Sequence, residues 1–286
     1  MDLVLGTAQF GQIYGITNMS GNSKNIKELE SILYEFKKHG FIKIDTAQSY
    51  GESEKMLGSI GVEEFHITSK IVFPNFCKNF KSKIFKNIEL SLENLNVQSL
   101  DCLLAHNPDF LKENLDESLS LVEDLKSEGL IKSFGVSVYE PNEINNLDMV
   151  DVIQFPCSIF DRRFPNKFSK FDNNSHLIKQ ARSVFLQGLL LEQYKNIPQK
   201  FNKHKHLFSK YDALYPTKNE KLLACISYIL NQNFDEFLVG VSSLNELQDI
   251  LILIQDCSSN IIESMPLDIN SPDIIELIDP RLWGAD

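Results

Sequence analysis

Eight short apolar runs, each followed by a longer stretch with helical periodicity, constrain the fold of this 286-residue chain more than any other feature. Several of the runs are rich in β-branched or aromatic residues, which is typical of parallel strands buried on both faces. The predicted strands comprise residues 3–7, 41–45, 65–71, 100–106, 131–137, 150–155, 182–186 and 236–242. Strands that alternate with helices predict a parallel sheet covered by helices.

The helical stretches and the number of strands indicate how this sheet closes. Apolar residues recur at helical spacing in 25–40, and Gly40 at the end of that segment is a typical helix stop. The segment 115–129 has the same pattern and also ends in glycine. Eight units of about 36 residues predict a closed (β/α)8 barrel that forms a single domain over 1–286. The alternative is an open doubly wound sheet, but the segment 6–11, GTAQFG, lacks the glycine spacing of a dinucleotide-binding turn.

Charge and composition exclude several classes of protein. The 28 basic and 39 acidic residues give a net charge of −11, which disfavours binding to a nucleic-acid backbone. No apolar stretch reaches ~18 residues, so no membrane-spanning helix is predicted, and the N-terminus lacks the basic segment of a secretory signal. The cysteines are dispersed without a C-x-x-C pair, at Cys77, Cys102, Cys157, Cys225 and Cys257. We therefore predict a cytoplasmic protein with no disulfide framework, zinc site, nucleic-acid partner or membrane partner. The sequence does not indicate an oligomeric state.

Polar residues stand where three successive predicted strands end. Asp45 ends the second strand and Tyr50 follows it in a loop, while Lys70 lies at the end of the third strand and His106 at the end of the fourth. The active site of a (β/α)8 barrel lies at the carboxyl ends of its strands. Each residue also has an ordinary structural explanation: a buried histidine, a surface lysine, a packed tyrosine or an aspartate cap. Their combination on neighbouring strand ends favours a catalytic site.

The motifs that carry these residues resemble those of the aldo-keto reductases. The matching segments include LGTAQFG, IDTAQSYG, SK, LLAHNP, GVSVY, IQFPCSIFDRR, RSVFLQGLL and GVSSLNEL, so the resemblance spans nearly the whole chain. LGTAQFG, FDRR, FLQGLL and DPRLW are most similar to a bacterial subgroup, some of whose members occur with surface-polysaccharide biosynthesis. The resemblance implies a (β/α)8 barrel that binds NADP(H) or NAD(H) and needs no metal.

The resemblance also implies a reaction and a role for each strand-end residue. The enzyme would reduce an aldehyde, ketone or sugar carbonyl, or run the reverse oxidation, by hydride transfer. Tyr50 would be the general acid, and Lys70 would lower its pKa from the ordinary value of about 10. Asp45 would hold Lys70 and balance its charge, and His106 would hydrogen-bond the carbonyl oxygen.

Cofactor contacts are implied in the same way. Ser137 and Gln154 would bind the nicotinamide carboxamide. The other implied contacts are Gly6, Thr7, Ser183, Gln187, Gly188, Gly240, Ser242, Ser243 and Glu246. Ser242 and Ser243 precede a predicted helix, where they would meet the adenosine phosphate or form an ordinary helix N-cap.

Two positions depart from the family's pattern. Val138 stands where many members have asparagine, and Arg182 stands where many have an aromatic residue beneath the nicotinamide ring. The ring would then stack on a guanidinium or on another aromatic residue such as Phe160. Around Glu246 and Asp249 there is no basic residue for the extra phosphate of NADP(H). We therefore expect NADP(H) as the first choice with weak discrimination, and NAD(H) as usable.

Three other functions fit parts of the sequence. The barrel could bind nicotinamide without catalysis, as a redox sensor or scaffold, although such a protein needs no lysine–aspartate–tyrosine arrangement. A metal-dependent hydrolase needs histidines at strand ends, yet His66 starts a predicted strand and four more lie in helical or loop segments: His39, His176, His204 and His206. An aldolase could use Lys70 to form a Schiff base.

The physiological substrate is not encoded visibly. In the family that the chain resembles, substrates are selected by long loops and by the C-terminal tail. The corresponding segments here are 9–23, 191–220 and the tail that contains Trp283. Trp283 would either line the pocket or pack against the barrel.

Overall fold

Eight parallel strands form a closed barrel in which β8 pairs with β1. In the computed structural model, the described residues are 1–12, 15, 25–73, 79–108, 115–143, 150–168, 176–256 and 274–284. The strands are β1 (Asp2–Gly6), β2 (Lys43–Asp45), β3 (His66–Ile71), β4 (Leu100–Ala105), β5 (Ile131–Ser137), β6 (Val152–Pro156), β7 (Ile178–Arg182) and β8 (Glu236–Gly240). Their order around the barrel follows the sequence. The predicted (β/α)8 barrel is confirmed, while its assignment to one domain over 1–286 stays a prediction.

Helices surround the barrel. They are α1 (Ala8–Gly11), α2 (Ile26–Lys38), α3 (Ser53–Ile60), α4 (Phe80–Leu95), α5 (Leu115–Ser127), α6 (Pro165–Phe168), α7 (Lys205–Leu214), α8 (Lys218–Leu230), α9 (Leu244–Asp256) and α10 (Ile274–Ile278). Short 3-10 helices comprise Pro141–Glu143, Leu186–Leu191, Tyr194–Asn196, Gln199–His204 and Pro280–Leu282. None of the helices formed by the described residues is long and apolar enough to cross a membrane.

The helix predicted over 25–40 illustrates how local sequence determines these elements. Asn25 caps α2, its side chain accepting a hydrogen bond from the Lys27 backbone N–H at 3.1 Å. The apolar face of α2 is buried against the barrel. Gly40 follows with a φ of +86°, a left-handed value that favours glycine and ends the helix.

The seventh strand differs from its prediction. Residues 182–186 were expected to be extended, but β7 ends at Arg182, and Ser183 and Leu186 have positive φ values of 61° and 48°. Val184 and Leu186 of this segment are buried within a turn, while Phe185 is partly buried and lines a cavity. The actual strand reads IKQAR, and its buried Gln180 faces other polar groups, so no apolar run marks it. The other seven predicted strands agree with the observed ones to within two residues at each end.

Polar side chains form a continuous line inside the barrel, which we call the polar line. Lys43 Nζ donates to Glu236 Oε1 at 2.5 Å, and Gln180 Nε2 donates to Glu236 Oε2 at 2.6 Å. Gln154 Nε2 donates both to Gln180 Oε1 at 2.5 Å and to Asp45 Oδ2 at 2.8 Å. The line therefore begins at Lys43, the first residue of β2, passes through β8, β7 and β6, and returns to Asp45, the last residue of β2.

The cysteines that can be placed are buried. Cys102, Cys157 and Cys225 are free thiols, and burial raises the pKa of each above that of an ordinary thiol. Cys77 and Cys257 lie outside the described residues. The three buried thiols thus pack as small apolar side chains.

Candidate active site

A cavity of about 670 Å³ opens at the carboxyl end of the barrel. Its walls include the last residue of five strands, namely Gly6, Asp45, Ser137, Arg182 and Gly240. It extends outward to the first turns of α8 and α9. A cavity at this end of a (β/α)8 barrel is the usual position of a substrate or cofactor site.

The structure brings Asp45, Lys70 and Tyr50 together at the base of this cavity. Lys70 and Asp45 are each only 1% exposed, and Lys70 Nζ bonds Asp45 Oδ1. Lys70 Nζ also donates to Thr46 O at 3.1 Å and lies 3.4 Å from the Tyr50 hydroxyl. The buried ammonium is thus balanced by one carboxylate and presents a proton to the phenol.

The turn that carries Tyr50 is held by a close backbone approach. A Cβ on Gly11 would lie 2.1 Å from both Tyr50 O and Ser53 N, so only glycine fits there. The Ser53 backbone N–H donates to Tyr50 O at 3.1 Å, and the Ser53 hydroxyl donates to Thr7 O at 3.0 Å. These contacts join the start of α1 to the start of α3 and fix the direction of the Tyr50 side chain.

His106 completes the cluster as a neutral imidazole. Its ring meets the Tyr50 ring edge-on with centroids 6.3 Å apart, and its Nδ1 lies 3.4 Å from Ser49 Oγ. Burial lowers the pKa of His106 to about 4, and the positive charges of Lys70 and Arg182 add to this effect. At neutral pH the ring is therefore uncharged and carries one N–H donor.

The pKa of Tyr50 departs from the expectation. Burial raises the pKa of Tyr50, the Asp45 carboxylate raises it further, and Arg182 opposes the increase. The prediction that this pKa is lowered is wrong, because loss of hydration and the Asp45 carboxylate together outweigh the opposing effect of Arg182. Tyr50 is therefore a protonated phenol across the neutral range, able to donate a proton.

Most of the residues expected to contact a cofactor line the cavity. They are Gly6, Ser137, Gln154, Ser183, Gln187, Gly188, Gly240, Ser242 and Glu246. Thr7 does not line it: this side chain is buried and donates to Asp45 O at 3.1 Å. Ser243 does not line it either, and its hydroxyl accepts from the Glu246 backbone N–H at 3.2 Å, which is the ordinary N-cap contact.

Gln154 has a free acceptor suited to an amide ligand. Both protons of its Nε2 are used by Asp45 and Gln180, whereas its buried Oε1 has no hydrogen-bond partner among the described residues. Ser137 is the register partner of Gln154 on the neighbouring strand. A carboxamide NH2 group bound here would satisfy the unpaired oxygen, so these residues fit the carboxamide of a nicotinamide.

Lys218 is a cavity residue that lies in the segment 191–220 but was not predicted to contact the cofactor. It lies in the first turn of α8, and its Nζ is 3.6 Å from Glu246 Oε1. The nearby sequence does carry a signal, since Thr217 and Glu220 form a capping box that marks the start of α8. Because helices of this fold begin at the carboxyl end of the barrel, that signal places Lys218 near the cavity.

Two aromatic side chains that were considered for the cavity, Phe160 and Trp283, pack elsewhere. Phe160 is buried against Phe208 and Tyr211, so it does not lie beneath a cofactor ring. Trp283 packs on Phe201 and donates to Leu277 O at 3.1 Å. Of the two roles considered for Trp283, packing agrees with these contacts.

Some residues of the segments expected to select substrates line the cavity. Gln9 and Gly15 of the segment 9–23 line the cavity, while 13–14 and 16–24 lie outside the described residues. Leu191, Glu192 and Lys218 of the segment 191–220 also line it.

The alternative of a metal site finds little support in the side chains that can be placed. Of the six histidines, all of them described, His106 alone lines the cavity. Over the described ranges, no group of three or more His, Cys, Asp or Glu side chains could hold a metal ion.

The fold and the site define a (β/α)8 barrel with a lysine–aspartate pair, a protonated tyrosine and a neutral histidine at one cavity. The chain belongs to the aldo/keto reductase family, whose sequence model matches residues 2–256.

Curated relatives are distant and matched only in part. An uncharacterised oxidoreductase of Bacillus subtilis is 27% identical over 63% of this chain and 62% of its own length. A D-arabinose 1-dehydrogenase of Saccharomyces cerevisiae is 29% identical over 48% of this chain and 42% of its own. An NADH-specific methylglyoxal reductase of Escherichia coli is 27% identical over 53% of this chain and 54% of its own length. The chain thus spans less than two thirds of these relatives.

Solved structures agree on the fold over nearly the whole chain. An aldo-keto reductase of Bacillus halodurans in its holo form superposes with a TM-score of 0.68 at 20% identity, covering 97% of this chain and 91% of that one. A glycerol dehydrogenase of Gluconobacter oxydans gives a TM-score of 0.66 at 21% identity, covering 93% of each chain. At these identities the likeness establishes the barrel and not the substrate.

Proposed function

We propose that this protein reduces an aldehyde, ketone or sugar carbonyl with a nicotinamide cofactor, Tyr50 serving as the general acid. One observation carries the proposal: the protonated Tyr50 hydroxyl lies 3.4 Å from an ammonium paired with a buried carboxylate, in a cavity that also contains a neutral histidine. Such a cluster supplies a proton and a hydrogen-bond donor to one developing oxyanion.

Different cavity residues bind different parts of the cofactor. Ser137 and the unpaired oxygen of Gln154 take the carboxamide, which brings the nicotinamide to the Tyr50 end of the cavity. Ser183, Gln187 and Gly188, in the turn after β7, take the diphosphate region. The cofactor supplies the hydride when it is bound.

The protein's own groups handle the carbonyl oxygen. With the Ser49 hydroxyl donating to His106 Nδ1, the Nε2–H of this ring donates to the oxygen and orients it. Tyr50 transfers its proton to the same oxygen as negative charge develops there. Lys70 then stabilises the phenolate that is left, and Asp45 keeps Lys70 in place.

Cofactor preference is decided at the far end of the cavity. The extra phosphate of NADP(H) would be attracted by Lys218 and repelled by Glu246, whose carboxylate accepts from the Ser242 backbone N–H at 2.7 Å. NADP(H) therefore remains the first choice with weak discrimination, and NAD(H) is usable. The Escherichia coli relative that is named as NADH-specific supports the second cofactor.

The substrate is a small carbonyl compound, and sugars are included. Two relatives bear names that refer to D-arabinose and methylglyoxal, which supports this range. We place the reaction in the cytoplasm, where nicotinamide cofactors are supplied.

A binding and activity screen tests the proposal. The purified protein is titrated with NADPH and NADH, followed by fluorescence, and then mixed with a panel of aldehydes, ketones and sugars while absorbance of the reduced cofactor is recorded. We expect saturable binding of both cofactors and consumption with at least one carbonyl. Absence of cofactor binding at millimolar concentration would contradict the proposal.

A further inference from the structure

Three side chains form a stack that leads from the C-terminal segment to the cavity. Arg281 Cζ lies 4.0 Å from the centroid of the Tyr139 ring, and Arg182 Cζ lies 4.2 Å from the same centroid. Two guanidinium groups cannot share one face of a ring at these distances, so Tyr139 lies between them. Tyr139 and Arg182 both line the cavity. The C-terminal segment thus supports a cavity wall through Arg281.

The two arginines differ in how their charges are balanced. Arg281 forms hydrogen bonds and an ion pair with Asp279. Arg182 instead donates to Val138 O at 3.1 Å and to Ser183 Oγ at 3.3 Å, and its buried Nε has no partner among the described residues. No carboxylate in the described part of the chain forms an ion pair with Arg182. Arg182 therefore places a positive charge in the cavity wall with no directly bonded carboxylate, although this charge also reaches the buried Asp161 and opposes the rise in the pKa of that carboxyl caused by burial.

That charge lies beside the position proposed for the nicotinamide ring. Arg182 bonds the carbonyl of Val138, the residue after Ser137, and its register partner is Pro156, two residues beyond Gln154. A carboxamide held by Ser137 and Gln154 therefore brings its pyridine ring next to the guanidinium. The ring is neutral in the reduced cofactor and carries a positive charge in the oxidised cofactor.

We propose that Arg182 makes this site select the reduced over the oxidised nicotinamide, and that Tyr139 and Arg281 position it for this task. The inference rests on the function proposed above. A planar guanidinium stacks well against a neutral ring, whereas it repels a cationic ring. The oxidised cofactor formed in the reaction is then the weaker ligand, so it leaves readily and is replaced by the reduced form.

The field of Arg182 also reaches the catalytic groups. After burial and Lys70, Arg182 is the third cause that lowers the pKa of His106, and it opposes the increase in the pKa of Tyr50 caused by burial and Asp45. The charge is therefore felt across the reacting end of the cavity.

Arg162 offers a matched control. Its guanidinium also lies over a tyrosine ring, 5.6 Å from the centroid of Tyr228, and its Nε donates to Ile159 O at 2.9 Å. It does not line the cavity, although it too has a buried nitrogen without a partner among the described residues. Replacing Arg162 thus removes a comparable cation without changing the cavity wall.

The test measures dissociation constants of NADPH, NADP+, NADH and NAD+ by titration calorimetry. We expect the parent to bind each reduced form at least tenfold more tightly than its oxidised form, equivalent to about 1.4 kcal/mol. Arg182→Met should bring this ratio close to one, mainly by tightening the oxidised forms. Arg281→Met should lower the ratio about two- to threefold, and Arg162→Met should leave it unchanged. Arg182→Gln, which keeps a planar donor toward Val138, replaces Arg182→Met if the latter does not fold.

The outcomes separate this inference from the proposed function. If the parent binds no nicotinamide cofactor, the proposed function fails. If it binds them with a ratio near one, or if the Arg182 variants keep the parent ratio, the inference alone is overturned. Equal weakening of both oxidation states in the variants would also overturn it, because a merely structural arginine would act in that way.

Discussion

The two ends of the cavity are built on different principles. At the barrel end, Lys70 and Asp45 are almost completely buried and are carried by strands. At the outer end, Lys218 and Glu246 are 58% and 40% exposed and lie in the first turns of two helices. A buried pair is costly to disturb, whereas an exposed pair contributes little and is screened by salt. We infer that the barrel end determines the reaction and the outer end adjusts which cofactor is preferred.

Replacing Tyr50 should produce the largest effect. Tyr50→Phe removes the proposed proton donor, so the turnover number should fall by ~10²–10⁴-fold while cofactor dissociation constants change less than about threefold. Steady-state kinetics and fluorescence titration check both quantities. Tyr34→Phe, on the exposed face of α2, serves as the control. A variant within a few-fold of the parent turnover would remove Tyr50 from the mechanism.

Breaking the buried pair should lower the free energy of unfolding strongly. Lys70→Met leaves the buried Asp45 carboxylate without its ammonium, which should cost about 3–5 kcal/mol in urea denaturation. The double variant Asp45→Asn/Lys70→Met should recover part of that loss, because no uncompensated charge remains. Lys218→Met, at the exposed pair, should change stability by less than about 0.5 kcal/mol. Equal losses for both lysine variants would erase the contrast between the two ends.

His106 makes stability depend on pH at the barrel end. Its folded pKa of about 4 lies below the ordinary value of 6.5, so between these values the unfolded chain binds a proton that the folded protein does not. Stability is therefore lost as the pH falls through this window, by about 2 kcal/mol from this group between pH 7 and pH 5. Urea denaturation of the parent and of His106→Gln at both pH values measures the difference. A parent–variant difference in stability that is the same at both values would contradict it.

Changing the outer pair should have the smallest effect, confined to one cofactor. Glu246→Arg should tighten NADPH binding about tenfold, equivalent to about 1.4 kcal/mol, and leave NADH binding within about twofold. Lys218→Ala should have the opposite effect and weaken NADPH binding. Both are measured by titration at low and high salt, since the effect of exposed charges falls with ionic strength. A parent preference for NADPH above about a thousandfold would show that another basic residue binds the phosphate.

The same contrast explains what the sequence could predict. Asp45, Lys70 and His106 follow apolar runs that mark strand ends, so their convergence could be inferred from the barrel alone. The seventh strand was predicted four residues too late in the sequence. Gln180 faces polar partners inside the barrel, where an apolar residue was expected, so β7 does not appear as an apolar run.

Other errors arose where packing or distance decides the outcome. The direction of the Tyr50 pKa shift depends on how deeply the assembled cavity buries the phenol, which no local motif encodes. Lys218 was not predicted as a cofactor contact because it is distant from Glu246 in sequence and meets it only across two helices. Thr7 follows β1 and is itself a predicted cofactor contact, yet its hydroxyl donates to the backbone carbonyl of Asp45 at the end of β2.

The polar line through the barrel restricts how this protein can diverge over evolutionary time. Gln154 donates to both of its neighbours along the line, Asp45 and Gln180, while Gln180 accepts from Gln154 and donates to Glu236, so an apolar substitution at one position leaves groups at the next unsatisfied. Glu236 in turn depends on Lys43 for its second oxygen. We therefore expect single substitutions here to lower stability even where no ligand is touched, and only linked replacements to lead to a different interior. On this basis we expect the interior residues of the polar line to change together, and the surface helices to vary independently of them.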